Sequence, residues 1–296
     1  MQAPMCPDCF TGTLRGDVTP TGTEQTVHGL PTYVALPGDG VAPVGTVVII
    51  TDAFGWTLRN TRALADAYAQ RVPCTVYVPD FMNGHAIPTS ALTQIEAPPP
   101  PSTSNPLLRT LRKARHTLPL LPSFLPFILH NHRSAAHPRV LSFLTTLRTA
   151  SPTTKLGVAG FCWGGLHAVM LTHDAPGNKI SVEGEGGKRW VVDCAFTAHP
   201  SMLDFPGDVE KVVQPVSVAN GEDDEWLGGG RMAKLVGILE AKGKEEGREG
   251  WYEAVVYHGA KHGFAVRGDR ADPLQRERGE QSEEQAVKWF RRWFTA

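Results

Sequence analysis

From Val44 to Asp52 the chain reads VGTVVIITD, an apolar and β-branched run without polar alternation. A strand buried on both faces of a parallel sheet has this pattern. Between 57 and 71 the apolar positions, Leu58, Ala63, Leu64, Ala67 and Tyr68, switch to mixed three- and four-residue spacing, which predicts an amphipathic helix. Cys74 to Pro79 predicts a second strand and completes a βαβ unit. The alternation returns with strands over Lys155 to Phe161, Trp190 to Ala198, Val212 to Ala219 and Trp251 to Tyr257. Helices are predicted over Gly164 to Thr172, Met232 to Ala241 and Glu280 to Phe294. Such alternation implies an α/β fold with one mostly parallel sheet covered by helices on both faces.

One stretch breaks the rhythm. Nine of the 24 prolines lie between Pro88 and Pro126, and the 85–135 segment is too long for a simple crossover. We read it as an insertion holding a basic helical candidate, Leu107 to His116, and the apolar run LPLLPSFLPFIL; a further helix follows from Pro138 to Thr149. Consecutive prolines favour extended chain, the reading as a surface loop. Twelve nearly uncharged residues left in water would be unfavourable, the reading as a cap over the site.

Composition narrows the function classes. With 29 basic against 30 acidic residues the formal net charge is −1, so no polyanion-binding surface and no nucleic-acid partner is expected. The run from Leu118 to Leu129 is too short for a membrane span and is interrupted by prolines. The start, MQAPMCPDCF, has neither a basic nor an apolar signal region, which leads us to expect a cytoplasmic protein, monomer or homodimer, with no membrane partner. At 296 residues, 41% hydrophobic and 20% charged, the chain is expected to form one globular domain over 1–296. Five cysteines are too few and odd in number for a disulfide scaffold, so the question is which thiol has a job.

The informative segment is GVAGFCWGG, Gly157 to Gly165. Gly160, Cys162 and Gly164 stand at two-residue spacing between a predicted strand and a predicted helix, where a nucleophile elbow belongs. The helix amino terminus favours thiolate over thiol. Downstream, NGEDDE follows the strand ending at Ala219 and offers Asp223 or Asp224; HGAKHGF follows the strand ending at Tyr257 and offers His262, with His258 as its rival. Nucleophile, acid and histidine thus come in the order of α/β-hydrolases. Cys6 and Cys9 form a CxxC without a second pair to complete a zinc site, His130 and His132 flank no carboxylate pair, and no metal or cofactor is expected. Cys74 and Cys194 lie in strand patterns and are expected to be buried; His85, His199 and Trp163 are candidates for the pocket lining.

The GFCWGG elbow, the GED turn, the KHGF segment, TDAFG at 51–55, VPDF at 78–81 and the amino-terminal CPDCFTGTLRG resemble the dienelactone hydrolase family, its fungal members above all. The resemblance implies an α/β-hydrolase fold with a Cys162, Asp223, His262 triad, acting on a small ester or lactone through a thioacyl-enzyme. It implies an oxyanion hole from the main-chain amides of Ala53 and Trp163. Family members carry a glutamate that controls the resting thiol where this chain has the shorter Asp52. Bacterial relatives bind a substrate carboxylate with two arginines. One of those positions is Val266 here, with Arg267 adjacent; Arg109, Arg112, Arg115 and Arg133 compete for the other. A thioesterase or acyl-transfer enzyme on the same triad, or a binding protein that has lost turnover, are the alternatives.

Overall fold

The computed structural model describes residues 19–89, 121–181, 187–245, 247–267 and 272–295. In chain order these form β1 (Thr23–Val27), β2 (Leu30–Ala35), β3 (Thr46–Ile50), α1 (Arg59–Arg71), β4 (Thr75–Pro79), α2 (Leu121–His130), α3 (Arg133–Ala150), β5 (Leu156–Phe161) and α4 (Trp163–Leu171). There follow β6 (Lys179–Ser181), β7 (Lys188–Trp190), β8 (Cys194–Ala198), α5 (Gly207–Glu210), β9 (Val216–Gly221), α6 (Gly230–Gly243), β10 (Tyr252–Tyr257), α7 (Phe264–Arg267) and α8 (Pro273–Thr295).

Eight strands make one sheet in the order β1-β2-β4-β3-β5-β8-β9-β10, while β6 and β7 pair separately as an antiparallel hairpin. From β4 to β10 every neighbour is parallel. Every residue of β3, β5, β8 and β9 is buried, as expected of mostly apolar strands covered on both faces. The helices pack into two groups, α1 with α7 and α8, and α3 with α4, α5 and α6. Cys74 and Cys194 are free thiols buried in this core.

The predicted elements are present with shifted ends. The strand expected from Trp190 begins at Cys194 because Trp190 closes the small β6–β7 hairpin. The last helix starts at Pro273 rather than Glu280, since its first turns, PLQRER, are too polar to show a helical apolar stripe. The β1–β2 hairpin was not anticipated: β1 reads TEQTV and is almost wholly exposed, so no buried face marks it. Of the proline-rich insertion, 90–120 lies outside the described residues, including Leu107 to His116; from Leu121 onward the apolar run forms helix α2 despite Pro126 inside it. No described helix is long and apolar enough to cross a membrane.

Paired residues bring the strand ends level. Ile50 of β3 stands beside Gly160 of β5, Phe161 beside Ala198 of β8, Ala198 beside Ala219 of β9, and Gly221 beside Tyr257 of β10. The loops that follow β3, β5, β8, β9 and β10 therefore open along one carboxyl edge, where open α/β sheets carry their sites.

Candidate active site

Cys162 sits between β5 and α4 with φ 53° and ψ −113°, a conformation that L side chains rarely adopt. Close backbone approach makes glycine obligatory on either side. A Cβ at Gly164 would collide with the Ile50 carbonyl, and one at Gly160 would come within 2.6 Å of the Ala168 methyl. The Gly164 N–H donates to the Thr51 carbonyl at 3.1 Å, pinning the helix start to the end of β3. This is the tight strand-to-helix turn expected of the GFCWGG segment.

His262 is buried on the loop after β10, and its Nδ1 lies 2.8 Å from Oδ2 of a carboxylate whose side chain is equally buried. That carboxylate is Asp224. The resemblance points to Asp223, which the structure leaves exposed at the surface, so the expectation is corrected by one residue. The cause lies in the turn. The Asp224 N–H bonds the Gly221 carbonyl at 3.3 Å, an i to i+3 closure that puts Glu222 and Asp223 on the outer corners and returns Asp224 to the interior. The other Asp224 oxygen, Oδ1, accepts the N–H groups of Trp226 at 2.7 Å and Leu227 at 3.2 Å, so the carboxylate cannot rotate without losing bonds. Gly221 allows the approach of the two loops, because a Cβ there would strike the Ala260 carbonyl. The rival histidine, His258, has a side chain 79% exposed, with Nδ1 3.3 Å from Glu222.

The residue before the candidate oxyanion amide at Ala53 is engaged elsewhere. Asp52 is buried, with Oδ1 accepting the Phe54 N–H at 3.1 Å and Oδ2 3.1 Å from Nε of Arg267. Burial pushes the Asp52 carboxyl up, against the opposing pull of Arg267, the Phe54 amide and His262. Arg267 turns inward and is buried, and its guanidinium lies 5.1 Å over the Phe54 ring. Val266 is itself fully buried. Of the other arginines weighed, Arg133 makes a two-pronged contact with buried Asp208, at 2.8 and 2.9 Å, while Arg109, Arg112 and Arg115 lie outside the described residues.

Trp163 opens α4, so its main-chain N–H has no intrahelical acceptor. Its indole Nε1 donates to the Asn131 carbonyl at 2.8 Å, and the Phe127 ring of α2 meets it edge-on at 6.3 Å. The Ile87 N–H bonds the Ala53 carbonyl at 2.8 Å. Both ends of the insertion thus touch residues next to the candidate oxyanion amides. His85 stacks on His130, with ring centroids 3.8 Å apart.

Sequence reasoning left His199 as one pocket candidate among three and overlooked Ser201; both lie on the AHPS loop after β8. His199 is wholly buried, with its ring edge-on to His262 at 4.9 Å and to Phe264 at 5.7 Å. Burial, with His262 and Arg267 nearby, holds its pKa well below the ordinary histidine value. The Ser201 hydroxyl is 3.7 Å from the Cys162 sulfur. No motif marks a lone serine, and only the sheet register brings this loop to the elbow. Among the described residues no group of three or more His, Cys, Asp and Glu could hold a metal ion.

Comparison with known proteins gives the family and the fold. The sequence profile of the Dienelactone hydrolase family matches residues 30–294. The hydrolase tropI of Talaromyces stipitatus is 26% identical over 282 residues, covering 95% of this chain and 94% of its own. A carboxymethylenebutenolidase homolog of Rattus norvegicus is 25% identical over 298 residues, covering 99% and 98%. Among solved structures, a putative dienelactone hydrolase from Klebsiella pneumoniae has the same fold at TM-score 0.59 and 17% identity, covering 91% of this chain and 98% of its own.

Proposed function

Because the chain belongs to the dienelactone hydrolase family and is a carboxylic ester hydrolase, we propose that it opens a small ester or lactone through a thioacyl-enzyme on Cys162, with His262 as base and acid and Asp224 as the residue that orients it. The single observation that carries this reading is the buried 2.8 Å contact between His262 Nδ1 and Asp224 at the same sheet edge as the strained Cys162 elbow. A carboxylate on Nδ1 fixes the proton there and leaves Nε2 to exchange protons with nucleophile and leaving group.

The Cys162 thiolate attacks the carbonyl carbon, a C–S bond forms, and the π electron pair moves to oxygen. The main-chain amides of Ala53 and Trp163 receive that oxyanion. Collapse breaks the C–O bond, and His262 delivers a proton to the departing alkoxide. In a lactone the alkoxide stays attached to the acyl group. Water, deprotonated by His262, then attacks the thioester; the acid leaves and the thiol is restored. The apolar segment 121–131, resting on Trp163, acts as a cap that limits access to this edge. Arg267 is neutralised by Asp52 and Arg133 by Asp208, so the reading extends to neutral esters as well as to dienelactone carboxylates.

The test is hydrolysis of short aryl esters and dienelactones by wild type and Cys162→Ala. Turnover by wild type and loss in the variant are expected. Equal turnover in both would remove Cys162 from the mechanism, and silence of wild type across the panel would remove the substrate class.

A further inference from the structure

The carboxylate at position 52 has one oxygen bonded to the Phe54 amide and the other in an ion pair with Arg267. Another group meets the sulfur. Cys162 Sγ lies 3.7 Å from Ser201 Oγ, and both side chains are buried. The loop carrying Ser201 is bound to the elbow on both sides of the cysteine. The Cys162 N–H donates to the Ala198 carbonyl at 3.2 Å, and the Ser201 N–H donates to the Cys162 carbonyl at 3.0 Å. Gly165 leaves room for the Pro200 ring between them, since a Cβ there would come within 2.7 Å of it. The hydroxyl is thus held at the sulfur by main-chain bonds rather than by side-chain chance.

We propose that Ser201 is a positioning residue that governs the Cys162 thiol: its hydroxyl donates a hydrogen bond to the thiolate, favouring ionisation and directing the sulfur. The inference rests on Cys162 being the nucleophile proposed above. A hydroxyl suits the task because it can accept from the thiol at rest and donate to the thiolate after ionisation, whereas a carboxylate would raise the cost of the second negative charge. The other ionisable groups gathered at this edge are Asp52 after β3, His199 after β8, Asp224 after β9, His262 after β10 and Arg267 on α7. All remain in place when Ser201 alone is changed.

The experiment is the pH dependence of iodoacetamide alkylation of Cys162, followed on the peptide that carries it by mass spectrometry, in the full chain without substrate. Unlabelled Cys74 and Cys194, both buried, certify that each variant is folded. Ser201→Ala is expected to raise the alkylation midpoint by about one pH unit, a tenfold loss in thiol ionisation. Ser201→Thr, which keeps a hydroxyl, is expected to titrate with the wild type. An Ala variant that titrates with the wild type overturns the proposal, as do Ala and Thr variants that shift equally. Because alkylation is read without turnover, this failure is distinct from that of the hydrolytic reading, which shows as turnover surviving in Cys162→Ala.

Discussion

Two of the buried carboxylates at this sheet edge are bound to basic groups of different character. Asp224 meets a histidine, a group that can gain or lose a proton; Asp52 meets an arginine, whose charge is permanent. Asp224 is held by two further amides and Asp52 by one. The difference separates the work of the two pairs. The Asp224–His262 pair can carry a proton through a reaction cycle, while the Asp52–Arg267 pair ties the residues after β3 to α7.

The comparison breaks most visibly at Asp224. Asp224→Asn keeps the shape but favours the wrong histidine tautomer, so kcat for an aryl ester should fall by on the order of 10³–10⁴ with an unchanged melting temperature; a loss under tenfold would place the acid elsewhere. Arg267→Met is expected to act on stability instead. It leaves Asp52 buried without its counter-ion and should cost about 3–5 kcal/mol in urea unfolding, part of which Asp52→Leu in the same chain recovers. A single-variant cost below about 1 kcal/mol would mean the pair is not structural.

A smaller effect distinguishes the histidine side by pH. Burial holds His199 neutral beside His262, and burial likewise lowers His137 to about 4 and His167 to about 3. Below about 6.5 the unfolded chain binds protons that the folded chain refuses, so stability is complete above that value and lost as pH falls, by up to about 1.4 kcal/mol per pH unit for each histidine. Urea midpoints measured from pH 7 down to 4.5 should decline, and less steeply in His199→Phe; a flat profile would contradict the assignment. The smallest expected effect is at Asp223, an exposed corner of the turn. Asp223→Asn should change kcat by less than about twofold, and a loss comparable to that of Asp224→Asn would reverse the choice between them.

The parallel core was legible in the sequence because β3, β5, β8 and β9 are mostly apolar and flanked by turn residues. The elbow was legible because its two glycines answer to backbone collisions that leave no alternative residue. What escaped depended on direction or on distance in space. Asp223 and Asp224 are adjacent and chemically identical, and only the closure onto Gly221 decides which of them turns inward. Ser201 carries no signature and becomes meaningful through the pairing of β5 with β8. The pairing of Arg267 with Asp52 joins two points 215 residues apart in the chain (267 − 52), linked by no local pattern.

The geometry of the elbow owes nothing to sulfur. Cys162 is fixed by neighbouring glycines, by the Thr51 carbonyl and by main-chain bonds to Ala198 and Ser201, none of which touches its side chain. The main chain at position 162 is therefore set independently of the side chain it carries, and Cys to Ser is a single-base change in the codon. For a lineage carrying this scaffold, the choice between thiol and alcohol chemistry is one mutational step rather than a rebuilding of the fold.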